Sequence, residues 1–130
     1  LPMKFHAICE NHLYQKAYAK GKRSVTPTVA VYVLPDYAAK RLAKARPGHH
    51  IANRVGLTVS AKLGGAVVRS RVRRILREGL RAAERQRPLK TGFLIVIAAR
   101  SAAVDKKSPD IEKDLVSALT RLSMFRESDV

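Results

Sequence analysis

At 130 residues the chain has the length of one domain, and its 46% hydrophobic content is enough for a core, which excludes a disordered basic tail. With 26 Lys+Arg against 10 Asp+Glu the formal net charge is +16, so the expected partner is a polyanion, nucleic acid foremost. No apolar run approaches the ~20 residues of a membrane span. There is no Trp to anchor an interfacial helix. Cys9 is the single cysteine, which excludes an intramolecular disulfide and fits a reducing compartment. The opening Leu-Pro-Met-Lys-Phe-His lacks a signal-peptide core, and a cytoplasmic location is the resulting expectation. The charge is uneven: residues 1–100 hold 21 Lys+Arg and 4 acids, residues 101–130 hold 5 and 6. The C-terminal quarter is therefore expected to face away from the anion.

In chain order, residues 10–20 read as a first helix, with Asn11 as its cap and Gly21 just beyond its end. Tyr14 and Tyr18, four apart, project together, either as core aromatics or as a stacking surface for unpaired bases. Lys16, Lys20, Lys22 and Arg23 surround them. Thr28–Leu34 reads as a strand with two apolar faces, Val29, Val31 and Val33 on one and Thr28, Ala30, Tyr32 and Leu34 on the other. Such a sheet is covered on both sides or carries a groove floor. Residues 35–53 form a long basic connector with Lys40, Arg41, Lys44 and Arg46, containing a helical turn that starts at Pro35-Asp36 and ends at Pro47-Gly48. Its adjacent His49 and His50 are poorly spaced for one metal and read as surface residues.

Arg54–Ser60 is the second central strand, with a short further strand expected near Leu63. Gly64-Gly65 permits a tight turn before a helix over 66–86, which Pro88 stops. Phe93–Ala99 is a continuous apolar run, as in a buried strand. Ser108-Pro109 caps and opens a last helix, with Asp110, Glu112 and Asp114 in its first turns and Ile111, Leu115, Leu119 and Leu122 on one face. The expected fold is a single α+β domain over 1–130, a small two-layer sandwich. Its sheet has about four strands and three helices, in the order α-β-β-β-α-β-α, with one helix bridging two strands in a split βαβ unit.

The helix over 66–86 carries the strongest signal. Val72, Ile75, Leu76, Gly79, Leu80 and Ala83 recur with a 3.6-residue period. Arg73, Arg74, Arg77, Arg81 and Arg85 fall opposite, and Arg69 and Arg71 crowd the N-terminal turn, where positive charge opposes the helix dipole. A charge run is ordinarily a solvated face. Here residues 54–100 hold 12 Lys+Arg against Glu78 and Glu84 alone, too few acids for pairing along the helix. Arginine also dominates lysine on this helix, and arginine suits bidentate phosphate contact. The basic half offers no carboxylate pair, metal-ligand spacing or Cys/His/Asp arrangement for catalysis by the protein.

The stretch RVGLTVSAKLGGAVVRSRVRRILRE, starting at Arg54, resembles the signature of the bacterial ribonuclease P protein subunit family. That signature runs Arg, hydrophobic, Gly, hydrophobic, any residue, Val-Ser-Lys-Lys, a hydrophobic residue, then Gly-Asn-Ala-Val, any residue, Arg-Asn-Arg and a basic-apolar helix. About 25 residues match with the spacing intact. Three positions depart: Ser70 replaces the Asn between two arginines, Ala61 the first Lys after Val-Ser, and Gly65 the Asn after the hinge glycine. The connector is also longer than the family pattern leads one to expect.

The resemblance implies a fold with a left-handed crossover around the arginine helix. It implies a non-catalytic subunit of an endoribonuclease, in which a catalytic RNA and its Mg2+ ions remove the 5′ leader of precursor tRNA; the sequence identifies no metal site on the protein itself. By matching position, Arg54, Lys62, Arg69, Ser70, Arg71, Arg73, Arg74 and Arg77 would bind RNA, and Tyr14, Tyr18 and Tyr32 would line a cleft for the single-stranded leader. The partners would be the catalytic RNA and precursor tRNA, with one monomeric protein per RNA and no membrane. Two other classes compete: a general RNA-binding or chaperone module such as a ribosomal protein, and a duplex-DNA protein using Arg69–Arg87 as a groove helix. For the second, the arginines cover nearly half the helix circumference, broader than a base-reading edge.

Overall fold

The structure, a computed structural model, describes residues 6–45, 48 and 50–126. A five-stranded sheet is built from β1 (His6–Ala7), β2 (Lys22–Val25), β3 (Val29–Pro35), β4 (Arg54–Thr58) and β5 (Phe93–Ala99), in the order β1-β4-β5-β3-β2. The helices are α1 (Asn11–Lys20), α2 (Ala39–Lys44), α3 (Ala66–Gln86) and α4 (Ser108–Arg121). β4 and β5 run parallel, joined through α3, while β3 is antiparallel to β5 and β2 to β3. Without the short β1 and α2, the order is the expected α-β-β-β-α-β-α.

The third strand of that order is not where the sequence suggested. Ala61–Leu63 is a 3-10 turn, its Ser60 hydroxyl accepting from the Lys62 N–H at 3.2 Å. The extra strand is β2, paired through Lys22↔Val33 and Arg23↔Tyr32. β2 is an edge strand, and edge strands tolerate charge that hides the apolar alternation. Helix starts also shift. α1 begins at Asn11 itself, with Glu10 in the cap position. α4 begins at Ser108 with Lys107 in the cap position, and the Asp110 carboxylate accepts from the Lys107 N–H at 3.1 Å. The connector helix starts at Ala39; its expected stop at Pro47, together with Arg46 and His49, lies outside the described residues, and His50 is exposed.

The β-pleat sends alternate side chains to two cores. Val29, Val31, Val33, Val55, Ile95 and Ile97 meet the apolar faces of α3 and α4. Leu34, Leu94 and Val96 face the other way and meet Ile8, Leu13 and Ala17, so α1 lies across the second face, with Tyr14 and Tyr32 packed at its margin. The α4 acids bind inside the fold: Asp114 accepts from the Thr28 backbone N–H at 3.1 Å and hydroxyl at 2.6 Å, and Glu112 accepts from the Gln86 amide.

Candidate nucleic-acid interface

The turn before α3 sets its direction. Gly64 sits at φ 151°, where side chains are disfavoured, and a Cβ there would come within 2.9 Å of the Val68 side chain. α3 then opens with no side-chain cap and no acid in its first turn. Its buried residues include Val72, Ile75, Leu76, Gly79, Leu80 and Ala83, the face expected from the periodicity. Ser70, Arg74, Arg77 and Arg81, all exposed, and the half-buried Arg73 succeed one another at spacings of three and four, which merges them into one patch. Arg74 lies 3.7 Å from Glu78, an exposed pair of small energetic weight. Among the described residues, Arg73, Arg77, Arg81 and Lys62 carry no ion pair.

Two cationic residues of the motif are engaged within the fold. Arg71 donates through Nη1 to the Val104 carbonyl at 2.9 Å and through Nη2 to the Lys106 carbonyl at 2.7 Å, tying α3 to the segment that enters α4. Arg54 grips Asp36 through Nε at 2.7 Å and Nη2 at 2.9 Å, and reaches Glu10 at 3.4 Å. The Asp36 side chain is only 3% exposed. The hydrogen bond to Asp36, with the Asp36 and Glu10 charges, raises the Arg54 pKa against the opposing effect of burial. Arg69 is half-buried, and its Nε is shielded from solvent with no acceptor among the described residues.

On the sheet face that α1 covers, three tyrosines come together. Gly56, Val96, Tyr32 and Arg23 form one cross-strand row. The Tyr14 ring fills the space over Gly56, where an added Cβ would come within 2.4 Å of Tyr14 Cε1. The Tyr18 and Tyr32 rings meet edge to face at 4.9 Å, and the Tyr18 hydroxyl donates to Thr58 Oγ1 at 3.2 Å. Tyr18 is 43% exposed, while Tyr14 and Tyr32 are half-buried and pack against the second core. Burial raises the Tyr14 phenol above its ordinary pKa, Tyr18 and Cys9 add to the rise, and Arg73 pulls it back. Arg73 of the patch thus acts through its charge on Tyr14.

Comparison with known proteins is decisive at this point. The family model described as Ribonuclease P matches residues 3–123. The chain belongs to the ribonuclease P protein family.

The ribonuclease P protein component of Clostridium acetobutylicum is 33% identical over 122 residues, 94% of this chain and 92% of that one. The solved structure of the Staphylococcus aureus RNase P protein at 2.0 Å is 26% identical, with TM-score 0.70, covering 95% of this chain and 100% of that one. The RNase P protein from Thermotoga maritima, at 17% identity, TM-score 0.66, and 86% and 93% coverage, shares the fold. Ribonuclease P protein membership carries the general role of a non-catalytic component in tRNA 5′ maturation. Among the described residues no group of three or more His, Cys, Asp or Glu could hold a metal ion, and no helix is long and apolar enough to cross a membrane.

Sequence reasoning named Arg54 and Arg71 as RNA ligands without detecting their internal acceptors. The acceptor of Arg54 is an aspartate 18 residues earlier, and those of Arg71 are backbone carbonyls, which no sequence pattern marks. Gly56 and Thr58 were read as strand residues, without their places beneath Tyr14 and beside Tyr18. The signal for both is the period of two in a strand, which places Arg54, Gly56 and Thr58 on the face opposite Val55 and Leu57.

Proposed function

We propose that this chain is the protein subunit of a ribonucleoprotein in which a catalytic RNA, with its Mg2+ ions, hydrolyses the 5′ leader from precursor tRNA. The protein contributes no reacting group. The α3 patch, comprising Ser70, Arg73, Arg74 and Arg77 with Lys62 and Arg69 at its N-terminal end, lies against the phosphates of the catalytic RNA. Each neutralised phosphate releases counterions, so the contact is strongly salt-dependent. Ser70 supplies a hydroxyl where the family pattern has an amide. Arg54 and Arg71 support the interface from within the fold.

The single-stranded leader occupies the cleft of Tyr14, Tyr18 and Tyr32, where base–aromatic stacking is worth about 1–3 kcal/mol per base. Arg73 joins the two surfaces, so one protein holds ribozyme and substrate together. The protein acts as a monomer, one per RNA, in the cytoplasm.

The observation that carries this reading is an arginine patch largely without acidic partners, with three tyrosines gathered where α1 covers the sheet. A competition experiment tests it: the protein is expected to prefer ribonuclease P RNA over bulk RNA at moderate salt. Equal affinity for the two, or for random duplex DNA, would return it to the general binders.

A further inference from the structure

The basic connector has no part in the proposed interface, yet it holds the most exposed aromatic side chain among the described residues. Tyr37 is 80% exposed, so its ring gives the fold almost no burial. It does not sit on a loose loop. The preceding Asp36 is buried under the Arg54 guanidinium, and its backbone N–H donates to the Gly92 carbonyl at 2.8 Å. Asp36 Oδ1 also accepts from the Ala38 N–H at 3.1 Å, and the Asp36 carbonyl accepts from the Ala39 N–H at 3.0 Å. The turn is anchored at both ends while its aromatic ring is held out in water.

The surroundings are cationic. The Lys16 ammonium lies 5.1 Å from the Tyr37 ring centroid. Lys40 and Arg41 follow at three and four residues, both exposed, and neither they nor Lys44 have an ion pair among the described residues. Asp36 is the only acid between Glu10 and Glu78, and it faces inward to Arg54. An exposed π-face ringed by uncompensated cations fits an unpaired nucleotide, with its base on the ring and its phosphates on the ammonium and guanidinium groups. By helical periodicity Lys16 is on the opposite flank of α1 from Tyr14 and Tyr18. A strand leaving the three tyrosines must pass over α1, about 10–12 Å in diameter, to reach Lys16 and the Tyr37 ring beyond it.

We infer that Tyr37, with Lys16, Lys40 and Arg41, is a second single-strand RNA site that takes the distal part of a long 5′ leader after it has passed the Tyr14–Tyr18–Tyr32 cleft. The inference rests on the leader reading of that cleft. It makes leader length a determinant of affinity, which the cleft alone would not do once filled.

The test uses holoenzyme reconstituted with the cognate catalytic RNA and three substrates: mature tRNA, a precursor whose short leader fills only the cleft, and one with an extended leader. Wild type is expected to bind the extended leader more tightly than the short one. Tyr37→Ala should lose about five-fold or more on the extended leader and nothing on the other two, while Tyr37→Phe, which keeps the ring, should bind like wild type. An extended-leader gain that survives Tyr37→Ala overturns the proposal. So does an equal loss on all three substrates, or weaker assembly of Tyr37→Ala with the catalytic RNA alone. Tyr18→Ala separates the layers: if it leaves short-leader binding unchanged, the cleft reading itself fails.

Discussion

Arg71 donates to the Val104 carbonyl at 2.9 Å, while Arg73, two residues along the same helix, has no ion pair among the described residues and reaches Tyr14 only through its charge. Neighbouring arginines of one motif therefore differ in engagement, one tied to backbone carbonyls and the other left without an ion pair among the described residues. Arg71→Ala is expected to destabilise the fold by about 1–3 kcal/mol, from the loss of two charge-assisted hydrogen bonds. Its salt slope for RNA binding should stay unchanged. Arg73→Ala should stay within about 0.5 kcal/mol of wild type in stability and lower the salt slope by about 0.7–0.9. Urea unfolding with binding measured across a salt series checks both. Exchange of the two phenotypes would invert the assignment.

Gly56 is where the sheet makes room for α1. A Cβ there would sit 2.5 Å from the Tyr14 hydroxyl oxygen and closer to its ring, so Gly56→Ala must displace the tyrosine. Overpacking of this kind costs about 1–3 kcal/mol. Affinity for leader-bearing substrate should fall while that for mature tRNA holds. Unchanged stability and unchanged leader discrimination would mean that Tyr14 moves aside freely.

The Tyr18 ring and hydroxyl have separable effects. Tyr18→Phe keeps the edge-to-face contact with Tyr32 and loses only the bond to Thr58, so binding of leader-bearing substrate should change little. Tyr18→Ala removes the stacking face and should weaken it by about 1–3 kcal/mol, with a smaller loss for mature tRNA. Equal losses for the two substrates would assign Tyr18 to packing alone.

Asp36 and Arg54 form a bidentate pair with little solvent around it. Asp36→Ala leaves a partly buried guanidinium with only the half-exposed Glu10, at 3.4 Å, and the loss of one member of such a pair costs about 3–5 kcal/mol. Thermal or urea unfolding measures it. A change below 1 kcal/mol would show that Arg54 relaxes into solvent.

Tyr14 supplies a pH-dependent signature. Burial favours its neutral form, so its folded pKa lies above the ordinary 10.0. The sign follows: a raised folded pKa contributes stability that is complete below the unfolded value and is lost as pH rises through the folded value. In an ultraviolet titration of tyrosinate, the wild type minus Tyr14→Phe difference should ionise later than a free tyrosine. Ionisation at or below pH 10.0 would place the phenol in open water.

Much of the architecture was legible because long elements repeat their pattern. The α3 face from Val72 to Ala83 and the apolar run of β5 appear in the structure as read. β2 was missed because its KRSV sequence carries edge-strand charge where the alternation signal should be. Ser108 was taken for a cap because serine commonly is one, whereas the Asp110 carboxylate reaches back to the Lys107 N–H. Within the candidate site, the sequence identified chemical type and left engagement open. Arg54 and Arg73 look alike as letters. Only tertiary structure separates them, by bringing Asp36 to one and leaving the other open.

The most direct test is leader removal from precursor tRNA by the cognate catalytic RNA at low magnesium, with and without this protein. The protein is expected to restore cleavage that the RNA alone performs poorly under those conditions, and to cleave nothing by itself. An Arg73→Ala/Arg74→Ala/Arg77→Ala variant should fail to restore it while folding normally. Cleavage by the protein alone, or full rescue by that variant, would contradict the account.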